Sequence, residues 1–218
     1  MRAKRTDRIG EKSINSYGTE MIIIEYCNEK EIYVEFQDEY KAIVKTRYWI
    51  FKQGSVANPY DKTVYNVGCL GLMSNGEKPI TKVNGVHDFR YVTWHGMIER
   101  CYGERSLKLK PTYKDAEVCD RWLVYANFLE DLPLIEGYEL YINSKRGDYI
   151  VLDKDIKGNG AKLYCVENCC FVTQSNNVKE IHYRKYEDAN GKVVVVPIHN
   201  CDIDKGLSHE IQKQILNN

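Results

Sequence analysis

None of the compact signatures that announce a catalytic loop occurs in this sequence. Neither NVGCLG (66–71) nor GNG (158–160) completes the GxxxxGK[ST] or GxGxxG pattern, so no glycine-rich phosphate cradle is written in the chain. There is no GxSxG elbow for a serine nucleophile and no HExxH pair for a zinc protease. Charge of one sign is missing too: 31 Lys plus Arg face 31 Asp plus Glu. The balance stays close to neutral in residues 1–60, 61–140 and 141–190 alike, so composition alone does not point to nucleic acid. Long apolar runs are absent, and the start MRAKRTDRIGEK has no apolar centre of the signal-peptide kind. The expectation is a protein of the cytosol with no membrane partner. Finally, the 8 cysteines form no CxxC pair. In a chain of 218 residues without a secretion signal they read as buried reduced thiols, which pack as small apolar groups. A structural zinc ion on Cys101, Cys119 and Cys169 is the other reading of the set.

What is present is an ordinary globular composition, 43% hydrophobic and 28% charged, long enough for one sizeable domain or two small ones. Arg2, Lys4, Arg5, Arg8 and Lys12 make the first residues basic, a tail that can lie on phosphate or stay solvated. MIIIEY, IYVEF and AIVKTRYWIF, separated by the turn-like CNEKE and QDEYK, predict a small antiparallel meander with Ile32, Val34 and Phe36 on one face. Gly54 and Pro59 then break the pattern, and residues 61–89 are rich in turns. Trp94, Met97, Ile98 and Cys101 fall at helical spacing, predicting a helix that starts near Thr93. A second helix, capped by Asp120, is predicted through Trp122, Tyr125, Leu129 and Leu132 to its stop at Pro133. Further on, YIVLD and CCFVT read as short strands around a two-glycine loop. QSNNVKEIHYRKY reads as a helix, and GKVVVVPI as a closing strand. The fold class expected is therefore α+β. A basic tail plus small N-terminal antiparallel β module occupies 1–60, two central helices and a strand–loop–strand–helix (ββα) unit occupy 61–190, and a C-terminal strand and tail occupy 191–218.

The stretch NCCFVTQSNN, Asn168 to Asn177, resembles the second half of the HNH motif of phage and intron-encoded homing endonucleases. In that family an Asn opens the second strand, an aromatic follows three residues later, a Thr begins the helix, and an Asn or His lies nine residues after the first. Here these are Asn168, Phe171, Thr173 and Asn177. The segments YVTWHGMIERCY and VCDRWLVYANF resemble those that precede this degenerate motif in phage and prophage proteins. The resemblance implies a ββα-metal-like unit that nicks or cleaves DNA. Asp153 and Asn177 would hold Mg²⁺ or Mn²⁺, and Asn168 would clasp the loop by hydrogen bonds. Lys154, Lys157, Lys179, Arg184 and Lys185 would contact DNA. Asp153, Lys154, Asn168 and Asn177 form the candidate catalytic set.

One part departs from the pattern. Where the family carries a base His after the carboxylate, this chain has Lys154. Histidine suits the removal of a proton from water because it titrates near neutrality, and an ordinary lysine does not. A charged Lys154 on an exposed phosphate-facing loop would keep DNA affinity while cleavage is lost. Asp155, on a continuing strand, would face the same side as Asp153. His95 and His87 are the other candidates, His95 on a predicted helix far away in sequence, and His182, His199 and His209 form no recognisable pattern. The two functions to separate are thus a metal-dependent endonuclease and a non-catalytic accessory protein. The accessory protein would bind DNA or another protein, for example as a phage inhibitor of a host defence protein.

Overall fold

The structure, a computed structural model, describes residues 8–144, 149–157 and 161–175, together with the backbone of strands at 183–187 and 193–197. It is a mixed α+β chain with an antiparallel N-terminal sheet and several helices. The chain divides into two compact units, 1–130 and 131–218.

In the first unit, strands β1 (Lys12–Ile14), β2 (Glu20–Asn28), β3 (Glu31–Phe36) and β4 (Ile43–Thr46) pair in sequence order, all antiparallel. Alternation along β3 sends Ile32, Val34 and Phe36 inward, and all three are fully buried. Each such side chain contributes roughly 1.5–3 kcal/mol of transfer free energy. Strand β2 needs a correction that its residue pattern does not announce. Met21 and Ile23 face the core, and strict alternation would bury Glu25 next. A register shift between Ile23 and Glu25 inserts one extra residue, so Glu25 turns outward and Tyr26 is buried. This bulge keeps a charge out of the core. The predicted third strand also ends early. After Thr46 the chain forms a short helix α1 (Tyr48–Lys52), because a helical turn carries Phe51 beneath the sheet, where it is fully buried.

A polar knot ties this sheet to the following loop. Asn15 accepts the amides of Tyr17 and Thr19 and donates to Asp61 at 2.8 Å. Burial holds the Asp61 carboxyl above the usual range. Tyr60, next to it, packs against the sheet's core and also against the cluster of Cys69, Val124 and Ala126.

The hairpin β5 (Lys82–Val83) and β6 (Val86–His87) turns through Asn84 and Gly85, both at positive φ, and leads into α2 (Phe89–Tyr102). The helix begins at Asp88, a turn earlier than its apolar stripe suggests. Asp88 Oδ1 accepts the Arg90 amide at 2.8 Å, while Arg90 Nη2 reaches Oδ2 at 2.7 Å. Trp94, Met97, Ile98 and Cys101 are buried as their spacing predicts. Gly103 joins α2 to α3 (Glu104–Leu109), followed by β7 (Glu117–Val118).

The second predicted helix is broken in two. A 3₁₀ turn at Asp120–Leu123 gives way to an extended Val124 (φ −99°, ψ 117°) before α4 (Tyr125–Asp131). Residues 123–126 use their backbone elsewhere: Leu123 O accepts from the Cys69 amide, and the Tyr125 and Ala126 amides donate to Cys69 and Leu70. Asp120 lies in the first turn and does not cap. The break lets the Trp122 carbonyl accept the buried Trp94 Nε1 at 2.7 Å.

In the second unit α5 (Tyr138–Ile142) precedes β8 (Ile150–Asp153). The short β9 (Leu163–Tyr164) is followed by β10 (Cys170–Thr173), which pairs antiparallel with β8. Gln174 and Ser175 begin a helical turn. The helix predicted to run on through Tyr186 does not persist that far. Tyr183–Glu187 is a strand, β11, paired antiparallel with β12 (Val193–Pro197). Four consecutive valines at 193–196 are strong strand formers and need a partner strand, which the preceding segment supplies. No helix among the described residues is long and apolar enough to cross a membrane.

The Asp88 cap gives a pH-dependent term whose sign is defined. The Arg90 guanidinium holds the Asp88 carboxyl below its usual range, so its stabilisation is present above an unfolded pKa of about 3.9 and is lost as pH falls through the lower folded value. Replacing Asp88 by Ala is expected to lower stability at pH 7 by about 1–2 kcal/mol. Urea melts across pH 2–7 should show the gap to wild type closing below pH 4.

Candidate functional site

The β8–β10 pair sets the candidate site. Their register places Asp153 opposite Cys170, Leu152 opposite Phe171 and Ile150 opposite Thr173. Two strands alone are marginal, and this pair is supported from the side. Phe171 donates its amide to Glu136 O at 2.8 Å, and its ring stacks on Tyr141 at 4.0 Å, nearly parallel. The approach requires Gly137, at φ +80°, where a Cβ would stand 2.3 Å from Phe171 O.

Asp153 is the last residue of β8 and is buried. Its Oδ1 accepts the amides of Asp155 and Ile156, both at 2.8 Å, and so turns the chain as the strand stops. Because the strand ends there, Asp155 sits in the turn and the side-parity argument for it does not apply. Asn168 donates from Nδ2 to Leu163 O at 3.1 Å, bridging the far side of the same loop. Thr173 ends β10 just before the helical turn, its hydroxyl 3.0 Å from that of Ser175.

Lys154 occupies a different environment from the one its sequence position suggests. It is not on an open loop facing solvent: its side chain is 6% exposed. Nζ lies 2.6 Å from Asp155 Oδ1 and 5.7 Å from the centre of the Tyr164 ring. The ammonium is committed to a carboxylate and an aromatic face, as a buried cation must be. Asp155 is the exposed member of the pair. Lys157 stands 3.8 Å from Glu136 Oε2, a loose contact between two well-solvated groups. Tyr164, Glu136, Gly137 and Tyr141 build the surroundings of the site without belonging to any motif. The one trace of them in the sequence is the glycine of EGY after the helix stop at Pro133.

Asn177 and Lys179 lie outside the described residues. Arg184 and Lys185 stand on β11, in register with Val196 and Val195, instead of on the predicted helix. In the first unit His87 stacks on Tyr91 at 5.4 Å, and His95 is tilted between Tyr65 and Tyr91.

Of the two predicted metal ligands, Asp153 lies among the described residues. Among the described residues only Oδ1 of Asp153 accepts hydrogen bonds, which leaves Oδ2 for an ion; Mg²⁺ commonly takes one or two carboxylates and fills its octahedron with water. No group of three or more His, Cys, Asp or Glu able to hold a metal occurs among the described residues. Burial raises the thiols of Cys165, Cys169 and Cys170, Cys169 to about 12, so at neutral pH all three are protonated packing groups. Cys101 is buried as well, and Cys119 is half-buried. No family model, curated protein or solved structure matches the chain.

Packing and charge make separable contributions at Lys154. Truncation to Ala removes a buried stem and is expected to lower stability by about 2 kcal/mol. Methionine keeps the volume and should cost less than about 1.5 kcal/mol, because exposing one more Asp155 charge to water is cheap. Chemical denaturation of the two variants checks the order; a Met variant worse than Ala would show that the ion pair outweighs the packing.

Proposed function

We propose that this chain is a degenerate HNH-type protein that binds DNA through its ββα-like unit and has lost most or all of its ability to cut it. The observation that carries the reading is the state of Lys154. Hydrolysis of a phosphodiester by this chemistry needs a cation to offset charge on the phosphate and a neighbouring group to take a proton from water. Asp153 keeps one oxygen that fits the first requirement. At the position of the base, an ammonium held by Asp155 has three donors and no lone pair to accept a proton. Buried against Tyr164, it is also withdrawn from any phosphate. General-base catalysis is worth roughly 10²–10⁴-fold, so its loss leaves binding as the main residual property.

The architecture supports the ancestry half of the reading. A short antiparallel pair, a carboxylate at the end of its first strand, an asparagine bridging the loop and a threonine just before a helical turn are four of the parts the motif requires. Residual metal-dependent nicking is the second reading, favoured by the uncommitted Oδ2 of Asp153.

Supercoiled plasmid incubated with Mg²⁺ or Mn²⁺ distinguishes the two. Wild type should nick no faster than Asp153→Ala, while both retard duplex DNA in a gel at low salt and release it as salt rises. Lys154→His returns a proton acceptor to the position and should raise nicking about 10²-fold, a gain that vanishes when combined with D153A. Failure to bind duplex together with no gain in K154H would sink the HNH reading. Nicking by wild type that D153A abolishes would move the conclusion to an active enzyme.

A further inference from the structure

The hairpin closed by Val64 and Gly68 places a tyrosine in a backbone conformation that bulky side chains rarely adopt. Its two turn residues, Tyr65 (φ 51°) and Asn66 (φ 60°), both adopt the left-handed conformation. Turns of this kind favour Asn-Gly, and the chain uses that pair at Asn84–Gly85. A bulky tyrosine at positive φ is strained, and such strain persists where the surroundings hold the residue for another purpose.

Tyr65 lines a cleft of about 530 Å³ with Asn66, Tyr102, Glu104, Arg105 and Lys108. The walls are prearranged. The Tyr65 ring packs on Gly103, where a Cβ would come within 3.3 Å of it, and lies 5.3 Å from the His95 ring. The Tyr102 hydroxyl accepts the Val118 amide at 3.1 Å. Arg105 and Lys108, three residues apart on α3, share one face. Both are exposed, and neither has an ion-pair partner among the described residues. Glu104 is the only acidic group in the lining.

We infer that this cleft binds a nucleoside phosphate, either free or as part of a single strand. Arg105 and Lys108 would take the phosphate, the Tyr65 ring would stack on the base, and the Asn66 amide would meet its edge. The chemistry matches part by part. A guanidinium fork suits phosphate oxygens, tyrosine faces accept any base, and a side-chain amide both donates and accepts. The volume lies in the range of small-molecule sites. An acidic peptide would satisfy the cations but leave the strained tyrosine without a role. The inference is independent of the reading of Asp153 and Lys154.

The test is fluorescence anisotropy of the full chain with labelled oligo-deoxythymidine, competed by thymidine monophosphate or by inorganic phosphate. Wild type should bind, and the monophosphate should compete better than phosphate. The R105E/K108E variant should bind at least about tenfold more weakly with a shallower salt dependence, while melting like wild type because both side chains are exposed. Tyr65→Asn, which suits the turn's φ, should also weaken binding about tenfold. R105E/K108E should still retard duplex DNA as wild type does, which separates the cleft from the duplex retardation above. A monophosphate that binds as tightly as the oligonucleotide assigns a free nucleotide; tighter binding of the strand assigns single-stranded DNA. No binding, equal affinity in both variants, or equal competition by phosphate alone would overturn the inference.

Discussion

A strand that stops inside a small unit leaves backbone amides with no ladder to join, and a buried unpaired amide is expensive. At the end of β8 the Asp153 carboxylate meets that demand by accepting two of them through one oxygen. The remainder of the unit follows from the turn it makes. The turn sends the chain away from β8, Asn168 closes the loop on its far side, and β10 returns beside β8 with Cys170 opposite Asp153. A carboxylate engaged in this way is a structural group first, with one oxygen left over for chemistry.

The same turn decides the fate of its neighbour. Lys154 follows Asp153 directly, and the bend carries its side chain inward against Tyr164 while Asp155 remains at the surface to neutralise it. A buried lysine paired with a carboxylate is weak evidence for stability and a poor proton acceptor. The substitution that removes the expected base is thus accommodated by the fold as packing. The proposed loss of cleavage rests on that accommodation more than on the identity of the residue.

The first unit solves its packing problems with local irregularity. A one-residue bulge moves Glu25 out of the core, and an extended Val124 interrupts what would be a continuous helix. Two left-handed residues close the turn at Tyr65–Asn66. The first two have a visible return within the fold: Tyr26 buried in place of a charge, and the Trp94 indole hydrogen-bonded to Trp122 O. The third brings a tyrosine to the edge of a cationic cleft, where the return lies in a ligand.

Read alone, the residue order determined what depends on neighbours in sequence. The 3.6-residue stripe of α2, the period-two face of β3 and the short apolar strands β8 and β10 were all legible, because burying one face of a helix or strand imposes a repeat. The α+β class followed from the order of those elements. The bulge, the broken second helix, the strand at Tyr183–Glu187 and the burial of Lys154 were not legible. Each depends on a partner outside the element itself: Val34, the Cys69 backbone, β12 and Tyr164. The resemblance singled out Asp153 and Asn168 as members of the proposed motif. Whether a lysine beside them faced phosphate or a tyrosine ring was settled by the turn's geometry and the space beneath it, which no local pattern encodes.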